Sequence, residues 1–308
     1  MTRVAAIDCG TNSIRLLIAE SRPGGGLVDL DRRLEMVRLG QGVDATGEFH
    51  PDALERTFAA TASYADVIAE RGVDPTRIRF VATSASRDAG NREQFFSGVR
   101  DRLGVAPEVI SGDEEARLSF AGALSRVHPP SDPVLVMDIG GGSTELIIGT
   151  RDGEIIAGQS LDIGSVRLTE RMLPSDPATD TELQRAREFV DAQLLESGID
   201  LPSVRSWVGV AGTATTLAAM HLRLLTYDRE RVHGAAIASS EIAGLVERLH
   251  GRTADDIRTI PSMHPRRADV ITAGALIAER VAARVAAENL IVSESDILDG
   301  IALRLLAT

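Results

Sequence analysis

Two short segments of this 308-residue chain share Asp, Gly and Ser at the same spacing: Asp8-Cys9-Gly10-Thr11-Asn12-Ser13 and Asp138-Ile139-Gly140-Gly141-Gly142-Ser143. A turn of this make-up offers a ligand three things. Glycine lets the backbone approach closely, and successive N–H groups form a nest for an anion. Ser and Thr hydroxyls add donors, and an Asp at the end of the preceding strand can hold a divalent cation directly or through water. One such turn could be nothing more than a hairpin bend rich in turn-forming residues. Two in register, the second running unbroken from Asp138 to Glu145, point to a pair of phosphate-binding loops with an associated Mg²⁺. A third segment, Ser111-Gly112-Asp113-Glu114-Glu115, reads as a helix start in which Ser111 and Glu114 form a capping box. Glu115 then points elsewhere on the helix. It either complements the helix dipole or serves chemistry. Arg87, beyond a buried strand expected at 78–82 and a turn of Thr, Ser and Ala, is either a solvated charge at a helix start or a fork for a terminal phosphate.

The elements that must position these groups follow from the same repeat. Residues 4–18 recur as 134–148 without a gap, 130 positions apart, and each copy reads as strand, polar turn, strand. The same offset pairs Val81-Ala82-Thr83 with Ala211-Gly212-Thr213, two strand ends entering small-residue turns. A single repeat of this length implies two similar lobes made by duplication, joined at the proline-rich stretch 127–133. Residues 51–71 read as a helix, with Pro51 in the first turn and Gly72 as its stop. Residues 179–197 read as another, opened by a Thr179/Glu182 capping box and closed by Gly198. The Ala-rich stretch 269–288 and the tail 295–306 are expected to be helical. Hairpins followed by helices, twice over, give an α/β class.

Composition removes whole classes of function. All 33 basic residues are Arg, so a lysine-dependent phosphate loop, Schiff-base chemistry and a protein-kinase lysine are excluded. The net charge of −12 argues against nucleic-acid binding by general attraction. The uncharged stretch 206–220 is too short to span a bilayer, and Asp8 stands where a secretory signal would need apolar residues. A soluble, cytoplasmic protein without membrane association is expected. One cysteine, Cys9, rules out an internal disulfide and reads as a small strand-end filler.

The paired turns resemble the phosphate loops of the actin-like ATPase superfamily. Within it, residues 6–13, 109–117 and 137–146 resemble the exopolyphosphatase and guanosine pentaphosphate phosphatase family, with weaker matches at 82–87, 210–213 and 265–269. Ser111-Gly112-Asp113-Glu114-Glu115-Ala116-Arg117 is the discriminating segment, because the loops alone belong to the whole superfamily. The resemblance implies two actin-like, ribonuclease H-like lobes: 1–126, with 295–308 returning to pack on it, and 127–294, with the active site in the cleft between lobes. It implies Glu115 as general base and Arg87 as the clamp for the terminal phosphate. Gly10, Thr11, Asn12, Ser13, Gly140, Gly141, Gly142, Ser143, Thr144, Gly212 and Thr213 would bind substrate phosphates, and Asp138, Glu145 and Asp8 would hold Mg²⁺ or Mn²⁺. The implied activity is release of orthophosphate from the ends of inorganic polyphosphate. The sister activity on guanosine pentaphosphate is the alternative, and a small-molecule kinase of the superfamily is a remoter one. No His-Asp dipeptide of the kind that marks the helical extension of longer relatives occurs, so short to medium chains are the expected substrate. A homodimer is left open.

Overall fold

The computed structural model describes residues 2–22 and 26–307. The chain divides into two compact units, Met1–Ser125 with Ile297–Thr308, and Arg126–Asp296. In the first, β1 (Arg3–Cys9), β2 (Ile14–Ser21) and β3 (Leu27–Glu35) form an antiparallel meander. After helices α1 (Val43–Thr46) and α2 (Pro51–Glu70), strand β4 (Ile78–Ala82) lies parallel to β1. Helices α3 (Ser84–Asp88) and α4 (Arg92–Leu103), the short β5 (Glu108–Val109) and α5 (Gly112–Leu124) follow. The sheet order is β3-β2-β1-β4-β5. Strands β1 and β2 are nearly all aliphatic and buried, as strands covered on both faces must be. Helix α2 begins as its residues dictate: Pro51 occupies the first turn and His50 Nδ1 accepts from the Asp52 amide. Gly72, in the left-handed region at φ 65°, turns the chain away.

The second unit repeats the plan. Strands β6 (Val134–Ile139), β7 (Thr144–Gly149) and β8 (Ile155–Leu161) form the meander, followed by α6 (Ser165–Met172) and α7 (Asp180–Glu196). Thr179 and Glu182 make the reciprocal capping box at the start of α7. Strand β9 (Ser206–Val210) runs parallel to β6, then come α8 (Ala211–His221), α9 (Arg229–Val232), β10 (Ala236–Ala238), α10 (Ser239–Glu247), α11 (Ala254–Arg258), α12 (Ile271–Ala282) and β11 (Asn289–Val292). The order is β10-β11-β9-β6-β7-β8. Helix α13 (Ile297–Ala307) belongs to the first unit, where Ile297, Leu298, Ile301 and Ala302 share a core with Val4, Leu17 and Leu118. Among the described residues no helix is long and apolar enough to cross a membrane.

Two expectations need correction. The first repeat holds in register, since Asp8 faces Arg15 and Asp138 faces Glu145 across their hairpins. The second is displaced by one. Asp8 pairs with Val81 but Asp138 pairs with Val210, so Thr83 corresponds to Gly212 and not to Thr213. The Ala-rich stretch does not stay helical to residue 288. It stops at Ala282, and 289–292 extend because β11 is needed between β9 and β10. Sheet pairing there overrides local helix preference.

Candidate active site

Each unit carries one of the two expected phosphate loops at its β-hairpin. In the first, the Gly10 amide donates to the Ser13 carbonyl at 3.0 Å and closes the bend. The hydroxyls of Thr11 and Ser84 lie 3.0 Å apart, tying this loop to the start of α3. Asn12 Oδ1 is buried with no hydrogen bond. In the second, Gly140 N–H to Ser143 carbonyl repeats the closure at 3.0 Å.

The hairpin register separates the three carboxylates expected to hold metal. Residues directly opposite on neighbouring strands place their side chains on one face, close together. In the first unit Asp8 meets Arg15, whose Nε and Nη2 reach Oδ2 at 3.0 and 2.6 Å. In the second unit the corresponding pair is Asp138 and Glu145, two carboxylates only 6% and 1% exposed. Ser160 Oγ donates to Glu145 Oε1 at 2.7 Å. Two adjacent buried carboxylates have the donor chemistry of a hard divalent cation, whereas Asp8 already has a cation in Arg15. Asp8 therefore fits an ion-pair role better than the metal role expected of it. Among the described residues no three His, Cys, Asp or Glu side chains converge as a metal cluster. Mg²⁺ suits such a pair, because it commonly takes one or two carboxylates and completes its shell with phosphate oxygens and water.

Arg87 and Glu115 come together. Arg87 leaves α3, Glu115 sits in the first turn of α5, and Nη1 donates to Oε2 at 2.8 Å and to the Ile110 carbonyl at 3.1 Å. Ser111 caps α5 by accepting from the Glu114 amide at 3.2 Å. The other half of the expected capping box is replaced. Glu114 reaches Arg79 Nη2 at 2.8 Å and Arg304 Nη1 at 3.0 Å, so two guanidinium groups outcompete one amide for its carboxylate. Glu114 thereby ties α13 to the helix that presents Glu115.

Two further residues are engaged within their own unit. Thr144 is fully buried and its hydroxyl donates to the Ile163 carbonyl, so that side chain latches β7 to the segment after β8. Thr213 is turned onto α12, where Gly274 leaves it room. Gly212 lies in the first turn of α8, and over it lies Arg267, whose Nη1 donates to the Gly212 carbonyl and to Thr216 Oγ1, both at 3.3 Å. The Pro265-Arg266-Arg267 segment could have flagged it in a chain whose only cations are arginines. Cys9 is buried, and desolvation followed by the charge of Asp8 pushes its thiol well above the ordinary range, which excludes a thiolate nucleophile.

The pattern of the Ppx/GppA phosphatase family matches residues 17–308. Exopolyphosphatase 2 of Mycobacterium tuberculosis (strain ATCC 25618 / H37Rv) is 46% identical over 319 residues, which cover 99% of each chain. The crystal structure of an exopolyphosphatase-like protein is similar at TM-score 0.93 and 42% identity, covering 98% of this chain and 97% of that one. The Ppx/GppA family member of Aquifex aeolicus follows at TM-score 0.84 and 32% identity, covering 99% and 98%.

Proposed function

The chain belongs to the Ppx/GppA phosphatase family, and from that premise we propose that it is an exopolyphosphatase, a Mg²⁺-dependent phosphoanhydride hydrolase that releases orthophosphate from the ends of inorganic polyphosphate. Identity of 46% across 99% of both chains with a protein named Exopolyphosphatase 2 carries this conclusion. The site chemistry supports it. A water oxygen attacks the terminal phosphorus, the bond to the bridging oxygen breaks, and the electron pair leaves with the shortened chain. Glu115 accepts the proton of that water. Arg87, held at 2.8 Å from Glu115, binds the terminal phosphoryl group and keeps it beside the base. Loop amides not spent in closing the bends, those of Asn12, Ser13, Gly141 and Gly142, hold phosphates further along the chain. Asp138 and Glu145 would hold Mg²⁺, which when bound neutralises charge developing on the phosphate oxygens. Short to medium chains are the proposed substrates. A cytoplasmic setting fits a chain whose single thiol is buried and free.

Phosphate release measured with polyphosphate, guanosine pentaphosphate and ATP tests the proposal. Turnover should be fastest on polyphosphate and vanish with a chelator. Preference for guanosine pentaphosphate would assign the sister activity. Release of ADP from ATP only with an added acceptor would make the protein a kinase.

A further inference from the structure

The segments that follow the third strand of each meander, residues 37–40 and 164–167, bind the carbonyls of the two phosphate loops. In the first unit the Gly40 amide donates to the Thr11 carbonyl and the Arg38 amide to the Asn12 carbonyl, both at 2.9 Å. In the second, Ser165 N–H donates to the Gly140 carbonyl at 2.9 Å, and the Val166 and Arg167 amides donate to the Gly141 carbonyl at 2.8 and 3.0 Å. Across a planar trans peptide, a carbonyl and the following N–H point to opposite sides. Fixing these four carbonyls turns the amides of Asn12, Ser13, Gly141 and Gly142 the other way.

Both straps pass so close to the loops that only glycine fits. A Cβ on Gly40 would lie 2.3 Å from Thr11 Cγ2, and one on Gly164 would lie 2.4 Å from the Gly141 oxygen. Space, not backbone conformation, imposes glycine here. Gly164 is extended at φ −134°, and Gly40 is outside the set of glycines with positive φ. Arg38, at φ 52°, adopts the left-handed bend that brings two amides of one strap onto successive carbonyls.

We propose that Gly40 and Gly164 are positioning residues: through their straps they hold the phosphate loops with the amides of Asn12, Ser13, Gly141 and Gly142 aimed at the non-reacting phosphates of the substrate. The substrate named here rests on the exopolyphosphatase assignment. Loss of such uniform binding raises KM and spares kcat. Gly40→Ala and Gly164→Ala should each raise KM for polyphosphate at least about tenfold, with kcat changed less than about threefold and only a modest fall in melting temperature. Gly244→Ala, where a Cβ meets nothing within 4 Å, is the control and should match the parent. Thr11→Ser removes the methyl at 2.3 Å and leaves Ala85 Cβ and the residue 11 Cβ at 3.1 Å, so Gly40→Ala should raise KM less in a Thr11→Ser background than in the parent. KM within twofold of the parent alongside a lowered melting temperature would reduce the straps to structural supports. Should Gly164→Ala not fold, Gly40→Ala and its rescue decide the matter. Amide NMR shifts on titration with tripolyphosphate and Mg²⁺ separate this inference from the functional assignment. Shifts at the four amides in the parent, lost in the variants, support the straps even if no phosphoanhydride is hydrolysed, and unmoved parent amides overturn them.

Discussion

At the scale of single residues, the account turns on what stands opposite each carboxylate. Glu115 lies against Arg87, so a substrate phosphate bound by that guanidinium is delivered next to the proposed base. Glu115→Gln keeps the shape and loses the proton acceptor, so orthophosphate release should fall by roughly 10²–10⁴ while polyphosphate binding persists. Equilibrium binding of labelled polyphosphate checks the second half. Asp138→Ala should shift the Mg²⁺ concentration needed for half-maximal turnover upward, because Glu145 is left as a lone carboxylate. A Mg²⁺ titration that overlays the parent would make Asp138 a turn residue only. Glu114→Gln should keep activity but lower stability by about 1 kcal/mol, since its bridge to Arg79 and Arg304 is lost at a partly exposed site. Thermal melting measures that. The two Asp-Gly-Ser turns were legible in the sequence because hairpin turns are local. The different surroundings of Asp8 and Asp138 were not, because they depend on the strand register, which sets Arg15 opposite one and Glu145 opposite the other.

At the scale of elements, helix boundaries written in caps could be read directly, whereas those set by partners could not. The box at Thr179 and Glu182 is complete within four residues, and α7 begins where it indicates. Helix α12 ends early because β11 is claimed by a sheet whose other strands lie far away in sequence. Glu114 is diverted from its cap by Arg304, 190 residues on, a partner that no local pattern announces. For Arg267 the segment was visible and its partner was not, because it reaches Gly212 from 55 residues away. Helix α13 depends on one close crossing. A Cβ on Gly300 would fall 2.0 Å from the Leu118 carbonyl oxygen, so the α5 and α13 backbones touch there. Gly300→Ala must push α13 off α5 and should destabilise the first unit by about 1–3 kcal/mol, the usual cost of overpacking. A melting curve unchanged from the parent would show that the crossing can relax.

At the scale of the whole molecule, the chain passes between its two units twice, at Ser125–Arg126 and at Asp296–Ile297. On the second unit's side, His233 joins both passages: Nδ1 accepts from the Glu294 amide at 3.1 Å, and the ring also bonds the Arg126 backbone. Burial first, then the charges of Arg229 and Arg126, lower its pKa below the usual value, against the raising effects of the Arg126 backbone bond and Glu294. The neutral ring is favoured in the fold, so the unfolded chain takes up the proton first on acidification. Stability is therefore full above about pH 6.5 and declines as pH falls below it. His233→Gln should flatten the fall in melting temperature between about pH 6.5 and 5. The net charge of −12 opposes a polyanionic substrate, so the proposed reaction depends on capture of a chain end by focused Arg side chains and the proposed Mg²⁺. A ³¹P NMR time course on medium-length polyphosphate with Mg²⁺ tests this most directly. The account predicts that orthophosphate accumulates from the first time point while the remaining chains shorten one unit at a time. Cleavage into mid-length fragments without early orthophosphate, or an unchanged spectrum, would contradict it.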